Sequence, residues 1–366
     1  MKILFLSDLL SYGGASKLIF DLLPRMAKEG NECELLILTD DHSKYVDELK
    51  AQGISVNIVP KDVKGHWGRI RYIKDWILKG NYDVMHANLF PMTYYCSIIK
   101  RLLGHNCPPL VMTEHSTDNK RRHKSYLRPI ERVIYKKYDH VISISDKTQE
   151  NLCRWLGTIE DSKYSVVENG IDVEAFRKAE PLDIAEVYKN YKDGDILLLT
   201  VGSFTPQKNH SMLLEALALL PDKYKLLLCG EGPLESEIKE RINKLNLDNR
   251  VLFLGFRRDV ARIMHSADIL VIPSLWEGFG LIAAEGMACG IPIVASNVPG
   301  LSEVIGDAGL KVDATKPELI KKAIESIESA RDKGQLYNKE IERASMFDIS
   351  NTVNKYLMTY RHLIKE

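Results

Sequence analysis

Residues 273–296 read PSLWEGFGLIAAEGMACGIPIVAS. The stretch opens at the end of an apolar run, ILVIPS (269–274), and closes on another, IPIVAS (291–296). Between them lie a loop with Gly278 and Gly280 and then LIAAEGMAC, a run of helix formers. An apolar strand, a glycine loop, a helix and a second apolar strand make one crossover of a parallel sheet. Two acids stand in it, Glu277 and Glu285, with seven residues between them. A helix starting near Gly280 leaves Glu277 before its N-terminus and puts Glu285 about a turn and a half inside. The backbone N–H groups of Phe279, Gly280 and Leu281 are then free to donate, and with the helix dipole they form a ready anion site. A phosphate held there between two hydroxyl-binding acids suits a nucleotide sugar. A capping Glu277 and a solvated Glu285 is the plainer reading of the same pair.

The same alternation runs outward in both directions. KILFLSD, ELLILTD, VNIVP, DVMHAN, LVMTEH and HVISIS are continuous apolar runs, as expected of strands buried on both faces. Helical patterns at Ser16–Lys28, Tyr45–Gln52, Arg69–Lys79 and Tyr94–Leu103 separate them. Polar residues and turn formers dominate residues 168–195. The alternation then restarts with DILLLTVGS, KLLLCGEG, RVLFLGF, ILVIPS and IPIVAS. The expectation is α/β: two Rossmann-like, doubly wound domains, residues 1–168 and 195–346, joined by a linker at 169–194. Their strand ends are expected to face a central cleft. The amphipathic stretch Ile349–Lys365, within 347–366, is expected to pack back on the first domain.

Composition fits this size. A chain of 366 residues, 45% hydrophobic and 27% charged, suits two ordinary globular domains. Lys+Arg and Asp+Glu are both 50, so the global charge argues neither for nor against a nucleic-acid partner, and electrostatic targeting must come from local patches; the expected partners do not include nucleic acid. Six scattered cysteines read as buried thiols in a reducing compartment. Asp8 interrupts the first apolar run and no small-residue cleavage site follows, which argues against a signal peptide. No stretch reaches the ~18 apolar residues of a membrane span. The chain is read as cytoplasmic, with peripheral contact at the inner face of the cell membrane compatible.

Three further features point to chemistry. Lys208, in the loop GSFTPQKNH (202–210), could neutralise a departing diphosphate. Gly13 and Gly14 follow the first strand and precede a helix, allowing close backbone approach. His115 stands at the carboxyl end of a strand, where ligands of such sheets bind. Asp193-Gly194-Asp195 has the form of a metal-binding Asp-x-Asp, but its place before a strand favours a turn.

Taken in order, GGAS (13–16), TEHS (113–116), VVENGID with Phe176 (166–176), GSFTPQKNH (202–210), CGEGP (229–233), FLGFRRDV (253–260) and the block at 273–296 resemble family 4 of the retaining glycosyltransferases. The resemblance covers nearly the whole chain. It implies the GT-B fold and metal-independent transfer with retention, from a nucleoside diphosphate sugar, UDP being the usual carrier. It also implies roles. Glu277 would bind donor-sugar hydroxyls and Glu285 the ribose, while Gly278, Phe279, Gly280 and Leu281 present backbone to sugar and phosphate. Lys208 would hold the diphosphate, with Gly13 and Gly14 approaching it; His115 would contact the sugar, and Phe256 would lie near the base. One position departs from the pattern: Ser203 stands where the family carries an arginine, so that either Arg257 or Arg258 replaces its charge or Lys208 carries more of it alone. His115, Lys208 and Glu277 are the catalytic candidates, and no cofactor or metal is expected.

The acceptor is expected to be a glycan or lipid-linked glycan of cell-surface polysaccharide synthesis. Lys120, Arg121, Arg122, Lys124, Arg128, Arg132, Lys136 and Lys137 crowd residues 120–137, opposed only by Glu131. They suit an anionic membrane surface or an acceptor phosphate, unless they simply form a solvated face. A sugar-nucleotide epimerase and a non-catalytic nucleotide-sugar sensor or partner subunit are the alternatives. A dinucleotide oxidoreductase is disfavoured, since neither half opens with G-x-G-x-x-G.

Overall fold

A computed structural model describes the chain except Tyr12, His42, Lys44, Asp118, Lys120, residues 158–161, residues 330–332 and Glu366, and the side chains of 333–337. It divides into two compact units, Met1–Gly170 with Ile349–Glu366, and Ile171–Asp348.

The first unit holds seven parallel strands: β1 (Lys2–Ser7), β2 (Glu32–Ile37), β3 (Ser55–Ile58), β4 (Val84–Asn88), β5 (Leu110–Glu114), β6 (His140–Ser143) and β7 (Tyr164–Val166). Their order is β3-β2-β1-β4-β5-β6-β7. The second unit holds six: β8 (Ile196–Val201), β9 (Tyr224–Cys229), β10 (Val251–Gly255), β11 (Ile269–Ile272), β12 (Ile293–Ser296) and β13 (Leu310–Val312), in the order β10-β9-β8-β11-β12-β13. Every pairing is parallel, as in β1 with β4 and β8 with β11. Each sheet therefore has a switch point where the strand order reverses, between β1 and β4 in one and between β8 and β11 in the other. Loops leaving the carboxyl ends there open a crevice.

The strands carry apolar residues on both faces because helices cover both. In the first unit, Phe5 and Ile37 pack on one side with the helix Gly14–Lys28, and Leu4 and Leu36 on the other with the helices Gly65–Gly80 and Met92–Leu103. The terminal helix Ile349–Lys365 lies in the first of these cores through Val353, Tyr356, Leu357 and Tyr360. A buried polar chain ties it to the sheet. His86 Nδ1 meets Tyr360 Oη at 2.5 Å, His86 Nε2 meets Thr113 Oγ1 at 2.8 Å, and Thr113 Oγ1 meets Tyr356 Oη at 2.9 Å. Burial holds the pKa of His86 well below its ordinary value, so the ring is neutral.

Of residues 169–194, read from sequence as linker, those from Ile171 onward are built into the second unit. Short helices form at Val173–Arg177 and Ile184–Val187, and Phe176, Ile184 and Tyr188 are buried. The carbonyl of Phe176 accepts from His265 Nε2 at 2.8 Å. The Asp193-Gly194-Asp195 segment is a turn: Gly194 has φ +89°, and Asp195 Oδ2 accepts from the Lys192 N–H. The six cysteines are free and buried. Among the described residues no helix is long and apolar enough to cross a membrane.

Candidate active site

The second unit gathers its site residues at the β8/β11 switch point. Lys208 ends a turn of 3-10 helix, Pro206–Lys208, in the loop after β8; Glu277 lies in the loop after β11. Because β8 and β11 are neighbours, the two loops run side by side, and Lys208 Nζ reaches Glu277 Oε1 at 2.5 Å. The lysine loop is tied down from both sides. The Gln207 carbonyl accepts from the Leu275 N–H at 2.8 Å, and Gln207 Nε2 donates to the Trp276 carbonyl at 2.8 Å. Asn209, left-handed at φ +50°, donates through Nδ2 to the carbonyls of Pro273 (3.1 Å) and Ala314 (2.9 Å). A charged pair held on two sides costs little entropy to maintain.

The helix expected after Gly280 runs Leu281–Cys289, with Gly280 as N-cap at φ +93°. A side chain at Gly280 would be strained by that φ and would also meet Leu301 Cδ1 at 2.9 Å. No acceptor for the N–H groups of Phe279, Gly280 or Leu281 exists among the described residues. Three free donors at a helix start are an anion site. Phe279, 3% exposed, packs edge-on to Phe347 with centroids 5.4 Å apart and so fixes the loop between the two acids. Glu277 and Glu285 are each only 9% exposed, which excludes a solvated Glu285.

Three residues that the sequence reading passed over shape this site. Gln207 and Asn209 flank Lys208. Gly300, at φ +80°, lies against the backbone of Glu277 and Gly278, where an added Cβ would come within 2.7 Å of the Glu277 carbonyl. The Pro299-Gly300 pair signals a turn in the sequence, but nothing in its spacing ties that turn to Glu277.

Ser203, where an arginine was expected, follows β8 and accepts through its carbonyl from the Thr205 N–H at 2.8 Å. Arg257 does not stand free to replace the missing charge. It forks onto Asp259, Nε to Oδ1 at 2.7 Å and Nη2 to Oδ2 at 2.6 Å, and that bond raises the pKa of Arg257 and lowers that of Asp259. Phe256, after β10, donates its N–H to Glu231 Oε1 at 3.4 Å.

In the first unit, Gly13 and Gly14 open the helix Gly14–Lys28, with Gly13 as N-cap at φ +136°. His115 follows β5, and its Nε2 meets Asn88 Oδ1 at 2.9 Å. Burial pushes its pKa down to about 4, so the ring is neutral near pH 7, with the Nε2 proton donated to Asn88.

The basic stretch is not the open cationic face expected. Lys120 lies outside the described residues. Arg122 turns inward to Glu114 Oε2 at 2.7 Å, the two side chains only 6% and 7% exposed. Arg121 meets the fully buried Glu131 at 2.9 Å and lies over the Phe90 ring, 5.0 Å from its centroid. Arg128 Nε donates to the Trp155 carbonyl at 2.5 Å, and Arg132 Nε to the Leu156 carbonyl, so both cap the end of the helix Asp146–Leu156. Four of the eight cations thus hold the fold, leaving Lys124, Lys136 and Lys137 outward.

The chain was compared with known families and structures. The model for glycosyl transferases group 1 matches residues 185–345, and that for glycosyltransferase family 4 matches residues 12–175. Among similar proteins is the N-acetylgalactosamine-N,N'-diacetylbacillosaminyl-diphospho-undecaprenol 4-alpha-N-acetylgalactosaminyltransferase of Campylobacter jejuni, 27% identical over 95% of this chain and 97% of that one. Another is the UDP-Gal:alpha-D-GlcNAc-diphosphoundecaprenol alpha-1,3-galactosyltransferase of Escherichia coli, 29% identical over 66% of this chain and 63% of that one. Among solved structures, Anabaena HepE in complex with UDP and glucose superposes with a TM-score of 0.85 at 22% identity, covering 98% of this chain and 99% of that one. The fold is GT-B.

Proposed function

Because the chain belongs to the group 1, family 4 glycosyltransferases, we propose that it transfers a hexosyl group from a UDP-sugar to a hydroxyl of a lipid-linked glycan, with retention and without metal. The observation that carries this reading is the Lys208–Glu277 pair beside the three free N–H groups at the start of the helix Leu281–Cys289. A cation and a helix N-terminus can neutralise a leaving diphosphate without a divalent ion. Glu277 takes hydroxyls of the hexose, Glu285 the ribose, and the segment at Phe256 lies near the base. The family resemblance assigns His115 to the sugar and Gly14 to the diphosphate.

The reaction breaks the bond from the anomeric carbon to the phosphate oxygen and forms one to the acceptor oxygen on the same face. Charge builds on the diphosphate as an oxocarbenium-like state forms, and Lys208 with the helix start stabilises it. The leaving phosphate oxygen accepts the acceptor proton, so neither acid acts as nucleophile, and the pair is not that of a retaining hydrolase. UDP is favoured by its presence in the HepE complexes, and a lipid-linked acceptor by the diphospho-undecaprenol substrates named for both relatives. Cell-surface polysaccharide synthesis at the cytoplasmic face of the membrane is the setting that joins these two substrates.

A donor panel with polyprenyl-diphosphate glycan acceptors, read by mass spectrometry and nucleotide release, tests the reading. The expected result is UDP release with a product one hexosyl unit heavier, undiminished by chelator. Tight UDP binding without turnover on any acceptor would overturn it in favour of a nucleotide-sugar sensor.

A further inference from the structure

The loop after β11 is enclosed except at one point. Ser274, Glu277 and Phe279 are buried, whereas Leu275 and Trp276 between them are 39% and 49% exposed. Among the described residues they are the large apolar side chains left to water in the two loops that carry the Lys208–Glu277 pair. An adjacent apolar pair kept open beside a polar site marks a place where something binds. The indole has no partner within the chain. The Trp276 carbonyl accepts from Gln207 Nε2, but among the described residues its Nε1–H donates to nothing and its ring stacks on nothing. The backbone beneath it is nonetheless fixed, because Gln207 accepts from the Leu275 N–H and donates to the Trp276 carbonyl, both at 2.8 Å. An aromatic on fixed backbone has only two side-chain torsions to lose when a ligand covers it.

A sugar ring matches this surface. Its C–H face stacks on the indole, and a hydroxyl accepts from Nε1–H. Position decides which sugar. Glu277, which takes the donor hexose, is buried and turned to Lys208, so the donor lies within the cradle and the indole outside it. Transfer with retention brings the acceptor oxygen to the face that the diphosphate leaves, which is the side of Lys208. Trp276 is tied to the lysine loop through Gln207. We propose that Trp276 stacks on the acceptor sugar that bears the attacking hydroxyl and holds it beside the departing diphosphate, with Leu275 widening the apolar platform. This assignment rests on the retaining transfer.

Tryptophan emission of the UDP-bound chain, titrated with three probes, is the test: a polyprenyl diphosphate without sugar, the same lipid bearing the glycan, and the lipid-free glycan. The glycan, on or off the lipid, is expected to shift the emission, and the shift should be missing from Trp276→Phe, which keeps the other three tryptophans. In the transfer assay Trp276→Ala should raise the acceptor KM by about tenfold, and Trp276→Tyr should restore most of the loss. The side chain is half exposed, and unchanged UDP affinity certifies each variant as folded. An acceptor KM within twofold of the wild type would overturn the inference. So would an equal shift with the bare lipid, which would assign the indole to the prenyl chain, or a rise in the donor KM alone, which would assign it to the donor hexose. An emission shift without product on any acceptor would refute the transfer while still placing a sugar on Trp276. Product with no shift and an unchanged KM would refute this inference alone.

Discussion

Replacing Lys208 and Glu277 separately should move UDP affinity in opposite directions. Lys208 Nζ lies 2.5 Å from Glu277 Oε1, with the lysine side chain 22% exposed and the glutamate 10%. In Lys208→Met a diphosphate loses one charge-assisted hydrogen bond, worth about 1.5–3 kcal/mol at such a site. That corresponds to a roughly tenfold to 150-fold weaker UDP complex. Glu277→Gln keeps the size of the side chain and the Gln207 contact but releases Lys208 to the phosphates. UDP should then bind as tightly as to the wild type, or a few-fold tighter, while turnover falls by about 10²–10³ through the lost hexose contact. Isothermal titration with UDP alone reads the first effect, and product formation at saturating donor reads the second. The double variant should bind UDP like Lys208→Met, because the glutamate acts on UDP only by competing for the lysine. If Glu277→Gln weakens UDP as much as Lys208→Met does, the pair is a structural unit and the reasoning fails.

Arg122→Met should destabilise the first unit by about 3 kcal/mol, the low end for breaking a buried pair, because Tyr135 Oη and the Ser116 N–H still donate to Glu114. Urea unfolding checks this, and a loss under about 0.5 kcal/mol, the surface value, would show that the pair is not buried in solution. Acid should loosen the same unit. His86 and His115 have pKa values depressed by burial, His115 to about 4, so below about pH 6.5 the unfolded chain binds protons that the fold refuses. Stability is whole above that pH and falls as pH drops toward 4, by about 1.4 kcal/mol per pH unit for each ring. Protection factors of the β4 and β5 amides, corrected for intrinsic exchange, should fall accordingly between pH 7 and 5; equal protection would refute buried neutral rings.

The fold was legible because a doubly wound sheet writes itself as apolar runs separated by amphipathic ones. The two strands absent from that reading, β7 and β13, are edge strands of three residues whose sequences, YSV and LKV, offer no apolar run. The positions of Glu277 and Lys208 were legible because each lies in a loop that leaves a strand the sequence marks, and that of Glu285 because the run LIAAEGMAC marks a helix. Gln207, Asn209 and Gly300 were not, because their roles are backbone contacts between loops far apart in the chain. The basic stretch misled for a related reason: composition counts charges but not directions. Whether an arginine points to solvent or to a helix carboxyl end depends on the fold around it, as Arg128 and Arg132 show.

The central claim is that the loops after β8 and β11 hold a nucleotide sugar for transfer with retention. Proton NMR of the first-formed product, taken before any anomeric equilibration, tests it most directly. With a UDP-α-hexose of gluco or galacto configuration and a polyprenyl-diphosphate glycan, the account predicts an anomeric proton with the small coupling of an α-linkage. It also predicts transfer by Lys208→Met slowed by about tenfold or more at a donor concentration that just saturates the wild type. A β-linked product, or undiminished transfer by that variant, would contradict it.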